Sequence, residues 1–306
     1  MTTAVVKKDK NEKYVSLTEI SFRKFLKNKL AVLGLFIITI LVLLSVCAPL
    51  LTDYTISETD LFNIQMPPSK DHILGTDDLG RDVFTRLVYG GRVSILVGIA
   101  SMTVQLLIGV TLGALAGYFG GIVDKIVMRI IDVIMCFPFF VIAVSVAAIT
   151  GPGVKNLIII IGFLMWPNIA RIVRAEILSL KENDYILAAK AMGLSSFEII
   201  TNHILPNIMS PVLVAATLAI ANGILTEASL SFLGIGVKLP QPSWGNMLIA
   251  AQNIGTLQRE WWLWIPAGSL IILMVLSINF LGDGLRDALD PKVKLKGGNK
   301  DEYIRS

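Results

Sequence analysis

Six stretches free of Asp, Glu, Lys and Arg punctuate the 306-residue chain, each about the length of a bilayer. They run between Lys29 and Asp53, Arg92 and Asp124, Asp132 and Lys155, from Lys155 to an interruption at Arg171, from His203 to Glu227, and between Glu260 and Asp283. Only 16% of the residues are charged, against about 25% in a soluble domain, and 54% are hydrophobic. Mean hydropathy is +0.70. These numbers exclude an ordinary soluble enzyme and a disordered chain. Runs such as Leu157–Leu164 show no two-residue alternation, which excludes a membrane β-barrel and predicts helices. The expected fold is all-α and membrane-embedded, with six transmembrane helices.

With both termini in the cytoplasm, 20 of the 27 Lys and Arg fall in inside segments. The net charge of +4 then reflects topology and anionic headgroups rather than nucleic acid. The first run exceeds the 7–15 residues of a signal-peptide core, and five more follow. Cys47 and Cys136 both lie in apolar runs and read as buried small hydrophobes. No GxxxxGK[ST] loop, HExxH, Cys cluster or GxSxG occurs. The charge-free stretches hold no charged residue or histidine away from their ends, and Gln105, Asn222 and Asn279 stand out among their polar residues, so an ion-coupled relay is not expected in them. Energy for transport would have to come from elsewhere.

The segment from Glu182 to Asn207 reads as two short helices with a turn. Asn183 or Asp184 can cap the first, Gly193 suits its C′ position, and Ser195 with Glu198 forms a capping box for the second. Pro206 and Pro211 flank the start of the fifth span. Tyr185, Ala188, Ala189 and Met192 fall on one helical face at i, i+3, i+4 and i+7, a face able to accept a partner's side chains. The same residues are equally consistent with a structured loop covering the bundle.

The segment resembles the "EAA" loop of ABC-importer permeases, EAA-x3-G-x9-I-x-LP. Ala188, Ala189, Gly193, Leu205 and Pro206 match; Leu187 replaces the family's Glu and His203 its Ile. His72–Arg86 with Tyr89–Arg92, Thr226–Gly236 with Pro242–Gly245, and Gly282–Pro291 resemble the dipeptide and oligopeptide branch of that family. The chain is thus similar to the second, "C"-type permease of a bacterial peptide importer, from about Phe22 to Pro291.

The resemblance implies a type I ABC importer permease fold in the bacterial cytoplasmic membrane. It divides the chain into a cytoplasmic segment 1–29, a first span 30–52, an extracytoplasmic segment 53–91, a core 92–287 and a tail 288–306. It also implies a coupling loop at about 178–207, in which Tyr185, Leu187, Ala188, Ala189, Lys190, Met192, Gly193, Leu205 and Pro206 meet an ATPase. The implied partners are a second permease, two ATPase subunits, an extracytoplasmic binding protein and a peptide. No catalytic residue, metal or cofactor is expected in this chain, since ATP and Mg would sit on the ATPases. Another solute, such as nickel, and an ATP-independent carrier are the rival readings.

Three features remain. Asp77, Arg81, Asp82 and Glu227 are candidates for an outer gate or docking surface; a locally paired surface loop accounts for the first three equally well. Gly109, Gly113 and Gly117 form a doubled GxxxG, expected to serve helix packing within the bundle or against a partner permease. Ser16–Glu19 reads as a capping box opening an amphipathic stretch, with Leu17, Ile20, Phe25 and Leu26 against Arg23, Lys24 and Lys27, suited to the inner membrane surface. Residues 238–258 suggest a short or re-entrant element, followed by Trp261, Trp262 and Trp264 at the interface.

Overall fold

The computed structural model describes residues 17–289, and side chains from Phe22 onward. Ser16 and Lys292, Lys294, Lys296 and Lys300 of the tail lie outside the described residues. The described chain is helical, with one isolated bridge between Thr76 and Asp82. Its elements are α1 (Leu17–Lys27), α2 (Lys29–Val46), α3 (Val83–Phe119), α4 (Gly121–Cys136), α5 (Phe139–Thr150), α6 (Val154–Leu180), α7 (Asp184–Ala191), α8 (Ser196–Phe232), α9 (Trp244–Met247), α10 (Ile254–Arg259) and α11 (Ile265–Leu289). Five of them are long and apolar enough to cross a membrane: α2, α3, α6, α8 and α11. The count is six if α4 and α5 form one span, bent by 85°.

The third charge-free run, between Asp132 and Lys155, is thus broken in two, and its first helix starts at Gly121. Phe137-Pro138 separates the two helices, and Pro138 has no N–H to continue a ladder. The charge-free boundaries are also corrected. α3 begins at Val83 rather than after Arg92 and is 37 residues long, about 55 Å. Arg86 and Arg92 lie inside it because each finds oxygens. Arg86 meets Asp77 at 3.3 Å and the Ile56 and Pro240 carbonyls at 3.4 and 3.3 Å. Arg92 donates to the Ser45 and Val46 carbonyls, both at 2.6 Å, and so closes the C-terminus of α2. α6 likewise absorbs Arg171, Arg174 and Glu176, and α8 runs past Glu227 to Phe232.

Small residues set the packing. α3 and α6 lie against each other along most of their length. A Cβ on Gly109, Gly113 or Gly117 would come within 2.8, 2.6 and 2.9 Å of Ile169, Ala170 and Ile177 on α6. The doubled GxxxG is therefore filled from within the chain, which corrects its alternative use against a partner permease. Gly98 and Gly223 make the same kind of approach between α3 and α8. Gly34 on α2 sits against the Ser277 carbonyl of α11, and Gly284 on α11 against Ala31 of α2. Of the α1 residues, Phe25 turns inward to Ala31 and Ala288, whereas Phe22 and Leu26 stay exposed.

The bundle has two dissimilar ends. One carries the long connections 52–82 and 233–264, and the 151–153 turn joins it through the Gly153 N–H to the Gly236 carbonyl at 2.9 Å. We call this the loop end. The opposite end carries α7.

Candidate functional site

At the α7 end, Asn183 occupies the N-cap with extended backbone, but its side chain makes no capping bond, in contrast to the expectation. The other end of the helix follows the sequence closely. Gly193 adopts φ +81°, its N–H reaches the Lys190 carbonyl at 3.0 Å, and the Leu194 N–H reaches the Ala189 carbonyl at 3.2 Å. This is a Schellman closure, which needs a left-handed residue at C′. Two residues later the Ser195–Glu198 capping box is complete: the Glu198 N–H donates to Ser195 Oγ and the Ser195 N–H to Glu198 Oε2.

The second helix is not separate. It continues as α8 through a π-helical turn, Ile199–Ile204, into the span. Pro206 explains the wide turn: it offers no N–H and its ring crowds the carbonyl four residues back, so the Leu205 N–H bonds to Ile200 instead. The Ser195 turn is therefore joined to the span by one unbroken helix.

The expected single face of α7 is split. Ala189 is buried, together with Ile186, in a cluster with Val173 and Ile177 of α6 and Ile199, Ile204 and Ile208 of α8. Tyr185, Leu187, Ala188, Lys190 and Met192 are exposed, Leu187 at 50% and Met192 at 73%. Phe197, which sequence reasoning passed over, is 75% exposed beside them. Lys190 lies over the Tyr118 ring at 5.2 Å, tying α7 to the end of α3. Leu205 is half-buried against the same cluster and Pro206 is exposed. Beneath, Arg174 grips Asp124 with two hydrogen bonds, the second at 2.6 Å, joining α6 to α4.

The loop end is built differently. Asp82 caps α3 through the Thr85 N–H at 2.7 Å and also meets His72 Nδ1 at 3.0 Å. Asp77 accepts from Arg81 Nε at 2.7 Å. Arg81 and Asp82 are both buried. Asp60 accepts from the Asn63 side chain and the Phe62 N–H, which hold its carboxyl below the usual range. Glu227, a candidate for an outer gate or docking surface, is fully buried. It accepts from Ser94 Oγ of α3 and Ser231 Oγ of α8, both at 2.7 Å.

Ser94 in turn accepts from the Trp244 N–H at 3.1 Å, and Trp244 Nε1 donates to the Leu87 carbonyl at 3.0 Å. Glu227 thus pins the 233–264 connection onto two spans. Only its neighbours in the folded chain give that role away. Of the four candidate residues, Asp77 and Arg81 line a cavity of about 560 Å³, shared with Asp78, Arg86, Asn246 and Thr256.

Residues 109–295 match the family of binding-protein-dependent transport system inner membrane components, and residues 16–68 match the N-terminal membrane domain of oligopeptide transport permease C. The chain belongs to this binding-protein-dependent transport family. It is 45% identical over 274 residues to the dipeptide transport system permease protein DppC of Alkalihalophilus pseudofirmus, covering 90% of each chain. It is 42% identical to the oligopeptide transport system permease protein OppC of Bacillus subtilis, over 93% of this chain and 92% of that one. In fold it is similar to a chain of the MetNI methionine ABC transporter in an inward-facing conformation. The TM-score is 0.56 at 21% identity, covering 67% of this chain and 97% of the other. The protein is a multi-pass membrane permease subunit of a binding-protein-dependent importer, with a type I ABC permease fold.

Proposed function

We propose that this chain forms half of the translocation pathway of an ATP-driven importer for di- and oligopeptides. A second, homologous permease supplies the other half, and an extracytoplasmic binding protein delivers the peptide to the loop end. ATP hydrolysis resides on two separate subunits, one of which seats the exposed residues of α7. The observation that carries the solute class is the match to dipeptide and oligopeptide permeases over nine-tenths of the chain. The basic residues favour a cytoplasmic α7 end, with both termini on that side.

Coupling then has a physical route. The α7 inner face, Ile186 and Ala189, is packed on α6 and α8, so a push on its outer face moves the spans rather than the loop alone. ATP supplies the difference in affinity between inward- and outward-open states. The test is uptake of a labelled tripeptide into proteoliposomes holding both permeases, both ATPases and binding protein. Uptake that requires ATP and all the subunits is expected. Uptake without ATPase subunits, or of nickel but no peptide, would overturn the proposal.

A further inference from the structure

Sequence boundaries place Lys125 and Arg129 in a short loop, but the structure places them on α4, the first half of the bent span. One side of α4 is spent on packing: Val127 and Ile131 are buried with Ala116 of α3 and Trp166 and Ala170 of α6. The other side is exposed and divides in two. At 100° per residue, Lys125, Arg129 and Asp132 fall in one arc at i, i+4 and i+7. Ile122, Ile126, Ile130 and Val133 fall in the adjoining arc, all exposed.

The charged arc climbs into the membrane. Asp124, at its base, is held by Arg174 near the α7 end of α6. Ile131 shares its cluster with Trp166, at the midpoint of α6. Arg129 and Asp132 therefore lie beyond the Asp124–Arg174 pair, towards the middle of α6. Among the described residues, no ion pair or hydrogen bond engages the side chains of Lys125, Arg129 or Asp132. Lys125 can snorkel to the surface, but Asp132 has no stem with which to do so. Charges at this depth are costly in lipid and face water-filled space or a charged partner. A groove of about 570 Å³ runs along this side of α4, lined by Lys125, Arg129 and Asp132 together with Ile122, Ile126, Met128 and Ile130.

We infer that the Lys125–Arg129–Asp132 arc lines a water-filled passage in the α7 half of the membrane and contacts the carboxylate and ammonium groups of a zwitterionic solute. Two cations and one carboxylate on a single stripe complement the two charges of a free peptide, and the adjoining isoleucines give the groove an apolar wall. The solute class rests on the proposed peptide-import function; the passage itself does not.

The test uses the complete transporter in proteoliposomes, with Cys47→Ala and Cys136→Ala as background. Single cysteines are placed at 125, 129 and 132, and at 126, 130 and 133. The probe is a membrane-impermeant sulfonate methanethiosulfonate applied from the ATPase side. The first three are expected to react on the order of tenfold faster than the second three. Peptide undergoing ATP-driven transport is expected to slow labelling at 129 and 132. Arg129→Gln is expected to slow uptake of a free tripeptide more than that of its C-terminal amide, and Arg129→Lys to restore it.

Equal reactivity in both arcs overturns the inference. So does silence at 129 and 132 in a transporter that still imports peptide, which would mean that protein covers the arc while the function stands. Reactive positions that peptide does not protect, or a wild-type transporter that moves no peptide, overturn the solute contact alone.

Discussion

The two ends of the bundle solve opposite problems. At the loop end, charged groups turn inward and are satisfied there: Glu227 by two serine hydroxyls, Asp82 by Thr85 and His72, Arg86 by Asp77 and two carbonyls. At the α7 end, apolar groups turn outward: Tyr185, Leu187, Met192 and Phe197. Buried, hydrogen-bonded charge holds a shape, whereas exposed apolar surface on a short helix awaits a partner. The buried charges give the loop end a fixed framework, although Phe62 and Ile254 stay exposed there, and in the proposed importer the α7 end is half of an interface.

This contrast orders the expected effects of substitution. Trp244→Ala empties the site that locks the 233–264 connection and should cost the most stability, about 3–5 kcal/mol. The purified transporter should melt earlier even with its ATPases bound. Glu227→Ala strands the Ser94 and Ser231 hydroxyls and should cost roughly 1–3 kcal/mol, read in the same melts. Melting points unchanged by both variants would break the claim that the loop end is structural.

Gly193→Val meets open space but needs φ +81°, a strain of about 1–2 kcal/mol confined to the α7 turn. Insertion and ATP hydrolysis should persist while peptide uptake falls, so the ratio of uptake to hydrolysis is the readout. Asp78→Ala removes a side chain that is 72% exposed and only 3.4 Å from Arg81. It should shift the melting point by no more than about 0.5 kcal/mol would. A larger shift would show that exposed charges at this end also bear on stability.

Legibility in the sequence followed the physics of each signal. The apolar runs locate the spans, because desolvated backbone forces helices there. Their limits were hidden, because an arginine reads as a helix end until its oxygens are known; Arg86 and Arg92 find theirs on Asp77, Ile56, Ser45 and Val46. The C-terminal Schellman turn of α7 and the capping box of α8 were legible residue by residue, since both depend on neighbours in the chain. Which α7 residues face out was only half legible. Helical spacing groups Ala189 with Tyr185 and Met192, but packing against Val173 and Ile177 claims Ala189 for the core. The Glu227 network spans residues more than 130 positions apart and leaves no local trace.

Cross-linking from α7 to the ATPase is the most direct test of the coupling claim. Single cysteines at 185, 189 and 192 would be placed in the assembled transporter and joined with a short bifunctional maleimide. The account predicts links to an ATPase subunit from 185 and 192, strengthened or weakened by ATP, and none from the buried 189. A transporter that imports peptide yet forms no link from 185 or 192 would contradict it.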